Sequence, residues 1–162
     1  MSDSSSLLLD TNLLVLFVVG STDRALIARH KRLRAFTAED FVGLCGIISH
    51  FTRVLITPNI LTETSNLLTQ IEEPARKRLL DTLAIIIGET HEEYVASRTV
   101  SMRTEFSRFG LTDSGILEKA GMVQCILTDD LALYLHLTAN GHNAVNFNHC
   151  RLSGWSASLG MR

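Results

Sequence analysis

Proline is scarce, with two in 162 residues beside ten glycines, and no low-complexity stretch interrupts the chain, which excludes a long flexible linker or a disordered region. The three cysteines, Cys45, Cys125 and Cys150, are odd in number, far apart and without a CxxC pair. That excludes a disulfide framework and a zinc ribbon and points to a reducing compartment. Charge of one sign is also missing: the formal net charge of −2 rules out a uniformly basic nucleic-acid binder and leaves room only for a local basic patch. Six histidines occur, yet none stand in an HxxxH or HExxH spacing, so zinc chemistry has no motif to support it. The opening "MSDSSS" lacks the positive stretch of a signal peptide, and the apolar run behind it is broken at Asp10 and too short for a membrane span. A cytoplasmic protein with no membrane partner is expected.

Apolar residues make up 46% of the chain, enough for one domain to bury a core without staples. That domain is expected over residues 1–150, with 151–162, which holds Trp155, as a C-terminal tail. Leu7 to Leu9 read as a buried strand, and a helix follows from Asn12 to the Gly20-Ser21 break. Residues 22–51 read as two helices, the second opened by a capping box from Thr37 to Asp40. "RVLIT" (53–57) is a strand, after which Thr57 caps a helix with Pro58 in its first turn. Another helix starts near Pro74, and "LAIIIGE" (83–89) is either its end or a strand. The pattern is helical from Glu92 to Phe109, stops at Gly110 and resumes from Thr112 to Ala120. "VQCILT" (123–128) is a strand, Asp129 to Asn140 a helix closed by Gly141, and "NAVNFN" (143–148) a last strand. Strands alternating with helices predict an α/β fold built on a parallel sheet.

Four acids stand where a ligand crevice forms in such folds, beyond the carboxyl ends of the strands. Asp10 follows the first strand, Glu63 lies early in the helix after the second, Asp113 opens a helix, and Asp130 follows "ILT". Taken singly, Asp113 and Asp130 also read as first-turn acids favoured by a helix dipole, and Glu63 as a solvated helix residue. Asp10 is harder to place in those terms. It sits between two hydrophobic runs in "LLLDTNLLVLFVVG", where an unpaired carboxylate costs several kcal/mol.

The blocks "LLLDTNLL", "TPNILTETSNLL", "GLTDSGILEKA" and "ILTDDLALY", in this order, resemble the motifs of PIN-domain ribonucleases, with the toxin members of type II toxin–antitoxin pairs most similar. The resemblance runs from about Leu7 to Phe147. It implies a three-layer α/β/α fold with a central parallel sheet of four or five strands and an acidic pocket holding Mg²⁺ or Mn²⁺. By motif position Asp10, Glu63, Asp113 and Asp130 are the catalytic and metal-binding set, flanked by the polar residues Asn12, Thr128 and Asp129. The implied activity is endonucleolytic cleavage of RNA by in-line attack of water, leaving a 5′ phosphate. A cognate antitoxin and a homodimer are the implied protein partners. Two departures stand out: a longer stretch between the first and second blocks, and Gly115 with Glu118 where alanines are common.

Oxygen-only donors are what a hard divalent cation requires, and a bound cation is the expected compensation for Asp10. Arg29, Lys31, Arg32 and Arg34 are the densest basic cluster and the first candidate for RNA phosphates. Arg98, Arg103 and Arg108 recur at helical spacing as a second. A phosphatase of the Asp-x-Asp type also begins with an acid after strand one, but Asn12 occupies the position of its general acid. A catalytically inactive PIN-like module binding RNA or protein is the remaining alternative.

Overall fold

A computed structural model describes residues 5–154. Trp155 and the rest of the expected tail lie outside the described residues. Five parallel strands, β1 (Ser6–Leu9), β2 (Arg53–Ile56), β3 (His91–Glu92), β4 (Cys125–Thr128) and β5 (Ala144–Asn146), form one sheet in the order β3-β2-β1-β4-β5. Among the described residues eight α-helices join and cover it: α1 (Thr11–Thr22), α2 (Ala38–Ile48), α3 (Pro58–Leu68), α4 (Ala75–Glu89), α5 (Ser97–Ser101), α6 (Phe106–Lys119), α7 (Leu131–Ala139) and α8 (Phe147–Ser153). The result is the three-layer α/β/α arrangement with an all-parallel sheet. Among the described residues no helix is long and apolar enough to cross a membrane.

β1 is the central strand, and its unbroken run of leucines follows from that place, since a parallel strand covered on both faces has no solvent side on which to alternate. α1 is apolar all round for the same reason: it is enclosed, packing on α2, α3 and α4, with Leu13, Leu14, Val15 and Leu16 fully buried. Gly20 is required where α1 meets α2, because a Cβ there would stand 2.2 Å from Cδ2 of Phe41. Gly20→Ala is therefore expected to cost about 1–3 kcal/mol in urea unfolding through overpacking. Gly88→Ala, in α4 with nothing within 4 Å of the added Cβ, is expected to change stability by about 0.5–1 kcal/mol in the opposite direction. A Gly20→Ala protein as stable as the parent would show that Phe41 moves freely.

Local signals account for most helix starts. The capping box forms, with Asp40 N–H donating to Thr37 Oγ1 at 3.2 Å and Thr37 N–H to Asp40 Oδ2 at 2.8 Å. Thr57 caps α3 through Ile60 N–H at 3.3 Å, with Pro58 in the first turn. "LAIIIGE" ends α4, because Leu79, Leu83 and Ile86 recur on one buried face. Gly110, at φ +72°, breaks α6 into two pieces, as the sequence pattern anticipates.

Three expectations need correction. The first of the two helices expected within residues 22–51 is replaced by two 3₁₀ segments, Arg24–Arg29 and Lys31–Leu33, joined at buried His30. The continuous helix expected from Glu92 to Phe109 is absent: His91 and Glu92 pair with β2, Glu93 N–H donates to the Ile56 carbonyl at 2.9 Å, and helix resumes only at α5. An open sheet edge supplied those backbone groups with partners, and tertiary pairing overrode the local pattern. "NAVNFN" is strand only to Asn146, whose side chain caps α8 by accepting from Asn148 N–H at 2.9 Å. α8 carries Arg151, which is tied to Asp40 of α2 at 2.9 Å.

Candidate active site

Parallel pairing puts every strand's carboxyl end on one edge of the sheet. The chain moves outward from β1 through β2 to β3, then returns to the other side of β1 for β4 and β5, so the switch in direction falls between β1 and β4. A crevice opens at such a point because the flanking connections leave on opposite sides. Asp10 ends β1 and Asp129-Asp130 end β4.

Asp10 is buried, 5% exposed, and is a hub for hydrogen bonds. Its backbone N–H continues the ladder to the Leu127 carbonyl at 3.1 Å. Its Oδ1 caps α1, accepting from Leu13 N–H at 3.1 Å, while Oδ2 accepts from the Thr128 hydroxyl and from Asp129 N–H at 3.0 Å. The hydroxyl of Thr128 in turn accepts Asp130 N–H at 3.0 Å. Burial drives the Asp10 pKa well above the usual carboxylate range, the charge of Asp129 pushes the same way, and the three donated hydrogen bonds oppose them. Protein donors thus compensate Asp10 only in part.

Asp129 and Asp130 divide the end of β4 between them. Asp130 is the N-cap of α7, accepting from Leu133 N–H at 2.9 Å, and is exposed. Asp129 is half-buried; both its oxygens face the Asn12 amide nitrogen at 3.2 Å, and its carbonyl accepts from Asn148 Nδ2 at 3.0 Å. The amide oxygen of Asn12 accepts from Arg32 Nε at 2.9 Å. Arg32 is the member of the basic cluster that hydrogen-bonds into the acidic site. Arg29 and Lys31 line a separate cleft with Thr69, Gln70, Ile71 and Glu72, and Arg34 is exposed.

On the opposite flank, Glu63 of α3 accepts from the Thr11 hydroxyl at 3.4 Å, and the side chain of Asp113 in α6 is held by no hydrogen bond among the described residues. Burial lifts Asp113 to a pKa of about 6, with the charges of Asp130, Glu63 and Asp129 adding to the rise in that order. Those mutual effects bring together carboxylates from β1, α3, α6 and the β4–α7 junction. Asp129 belongs to this group as fully as Asp130. Thr11 and Asn148 also touch it; Asn148 gives no signal in the sequence, since it reaches the site through a turn whose place depends on β5.

The donor set suits a hard divalent cation, being all oxygen and rich in charge that lacks a counterpart. As the side chains stand, no three His, Cys, Asp or Glu among the described residues are close enough to hold one ion. Asp113, without a hydrogen bond of its own, and Glu63, with one long one, are the acids freest to close on it. The second basic series serves other ends: Arg103 pairs with Glu118 at 2.6 Å and Glu105 at 3.3 Å, and Arg108 lies over the Phe109 ring at 4.7 Å. No family model, no curated protein and no solved structure matches the chain, so its chemistry has to be argued from this geometry.

Proposed function

We propose that the chain is a Mg²⁺- or Mn²⁺-dependent endoribonuclease of the PIN type. The observation that carries this reading is that Asp10, Glu63, Asp113, Asp129 and Asp130 all border the crevice at the sheet's switch point, with Asp113 raised to about 6 by burial first and by the charges of Asp130, Glu63 and Asp129 after it. Ordinary helix-capping acids do not accumulate in this way, because like charges on a partly buried site are costly without a cation. Asp10, Glu63, Asp113 and Asp130 would hold the cation, which supplies charge neutralisation at the scissile phosphate and the leaving oxygen. Asp10 cannot turn, being fixed by three donors, and so provides the rigid reference of the site. Of these acids, Glu63, Asp113 and Asp130 are the carboxylates that would orient an attacking water and accept its proton. Asn12 and Arg32 hold Asp129 in register at the rim.

Cleavage of a single-stranded RNA with Mn²⁺ or Mg²⁺, compared with the same reaction in chelator and with Asp10→Asn, tests the assignment. Loss of at least 100-fold in both controls is expected, and equal cleavage by wild type and Asp10→Asn refutes it. A phosphatase is disfavoured because the Asn12 side chain is engaged at both ends, by Asp129 and by Arg32. An inactive binding module is favoured by one observation, the three protein donors that already hold Asp10, and absence of Mn²⁺ binding in calorimetry would select it. A toxin role with a separately encoded antitoxin, a homodimer and a cytoplasmic location belong to the same proposal. Growth arrest on expression, relieved by the product of a neighbouring open reading frame, tests the toxin role.

A further inference from the structure

A cleft of about 430 Å³ opens beside the acidic crevice, bordered by Glu63 and by Thr112, the residue before Asp113. Its other polar walls are uncharged: Asn59, Thr62 and Asn66 of α3 and Ser97 of α5. At its rim stands Tyr94, 74% exposed. An aromatic ring so exposed usually belongs to a mobile loop, but here its neighbours are fixed on both sides. Glu93 extends β3 through its N–H to the Ile56 carbonyl at 2.9 Å, and its carboxylate lies 3.6 Å from Lys119 Nζ. Val95, the next residue, is buried. A tyrosine mounted in this way presents a flat face to solvent at little further entropic cost.

We infer that this cleft receives one unpaired nucleotide of a single-stranded RNA, its base stacked on Tyr94 and its edge read by the amides of Asn59 and Asn66, next to the phosphate that enters the acidic crevice. Three features combine to that end. Uncharged amides and hydroxyls pair with base edges, where carboxylates or lysines would select for charge instead. An exposed, pre-positioned ring is the stacking platform that single-stranded binders use, tolerant of base identity. The cleft shares Glu63 with the acid cluster, so a nucleotide bound in it has its backbone at the crevice. The opposite flank is bounded by Arg32, on the far side of Asp129, which is suited to the phosphate leading out of the site.

This inference rests on the nuclease reading for its choice of ligand, and its test is made without cleavage. A short single-stranded RNA carrying one 2-aminopurine is titrated into the protein in chelator, with fluorescence quenching as the measure of stacking. Wild type and Tyr94→Phe are expected to quench alike, Tyr94→Ala to lose quenching and about tenfold in affinity, and Asn66→Ala to lose affinity while keeping the quench. An RNA duplex of the same sequence, whose bases are already stacked, is expected not to compete. Equal quenching by wild type and Tyr94→Ala, with circular dichroism unchanged, overturns the inference, as does effective competition by the duplex. With Mn²⁺ added, Tyr94→Ala is expected to raise KM about tenfold with kcat little changed; an unaltered KM would also overturn it. Quenching that depends on Tyr94 in a protein that cleaves no RNA leaves the cleft in place and removes the nuclease reading alone.

Discussion

Asp113→Asn is expected to make the cation-free protein more stable by about 1–3 kcal/mol at pH 7 while lowering RNA cleavage by at least 100-fold. Folding lifts this carboxyl to about 6 from the usual 3.8, so its charged form is disfavoured in the native state. At about 1.4 kcal/mol per pKa unit the cost approaches 3 kcal/mol, less a discount because the side chain is only half-buried. The sign follows from linkage. Well below the unfolded value of 3.8 the group is neutral folded or unfolded and contributes no cost; the penalty grows between about 4 and 6 and is nearly complete above 6. The stability gap between Asp113→Asn and wild type should therefore be near zero at about pH 3, widen through about pH 6 and level off at about pH 7, measured by urea unfolding in chelator. Saturating Mn²⁺ should narrow it by stabilising wild type more than the variant. A variant less stable than wild type at pH 7, or a gap independent of pH, would mean that the acids do not strain one another. A site that weakens its own fold in this way is typical of one kept for function.

Asp10→Ala should act on stability in the opposite direction, lowering it by about 2–4 kcal/mol, or roughly 10 °C in the unfolding midpoint, with cleavage equally lost. The substitution leaves Leu13 N–H, Asp129 N–H and the Thr128 hydroxyl without their acceptor, and strips α1 of its cap. Relief from burying a carboxylate offsets part of this, but three orphaned donors at the centre of the sheet outweigh it. Asp10→Asn, which keeps an acceptor for Leu13 N–H, should fall between Asp10→Ala and wild type. Calorimetric unfolding of the three proteins orders them; an Asp10→Ala protein as stable as wild type would show that these bonds do not hold β1 to β4. The two acids then have distinct tasks. Asp10 joins the halves of the sheet and anchors the site, whereas Asp113 carries the strain that a cation would relieve.

The amino-acid sequence by itself determined whatever depends on neighbours a few residues apart. The leucine run of β1, the Thr37–Asp40 capping box, the Thr57-Pro58 entry to α3 and the break at Gly110 are all local signals, written in side chains that bond their own backbone or free it to turn. Acids placed just after strands could be named as site candidates on the same footing, because a parallel sheet gathers its carboxyl ends. Tertiary structure decided the rest. Which of Asp129 and Asp130 caps α7 and which faces Asn12 depends on backbone direction at the end of β4, and adjacent identical residues carry no mark of it. His91 and Glu92 became strand because β2 offered an unpaired edge, and that pairing in turn mounted Tyr94 at the rim of a cleft. The basic cluster, continuous in sequence, was divided when His30 turned inward, leaving Arg32 to reach the acids. Helix caps and turns arise from contacts within one or two turns of chain. Strand order and shared crevices arise from pairings between distant segments, such as Leu7 with Val54 and with Cys125, where the partner's position is what selects the outcome.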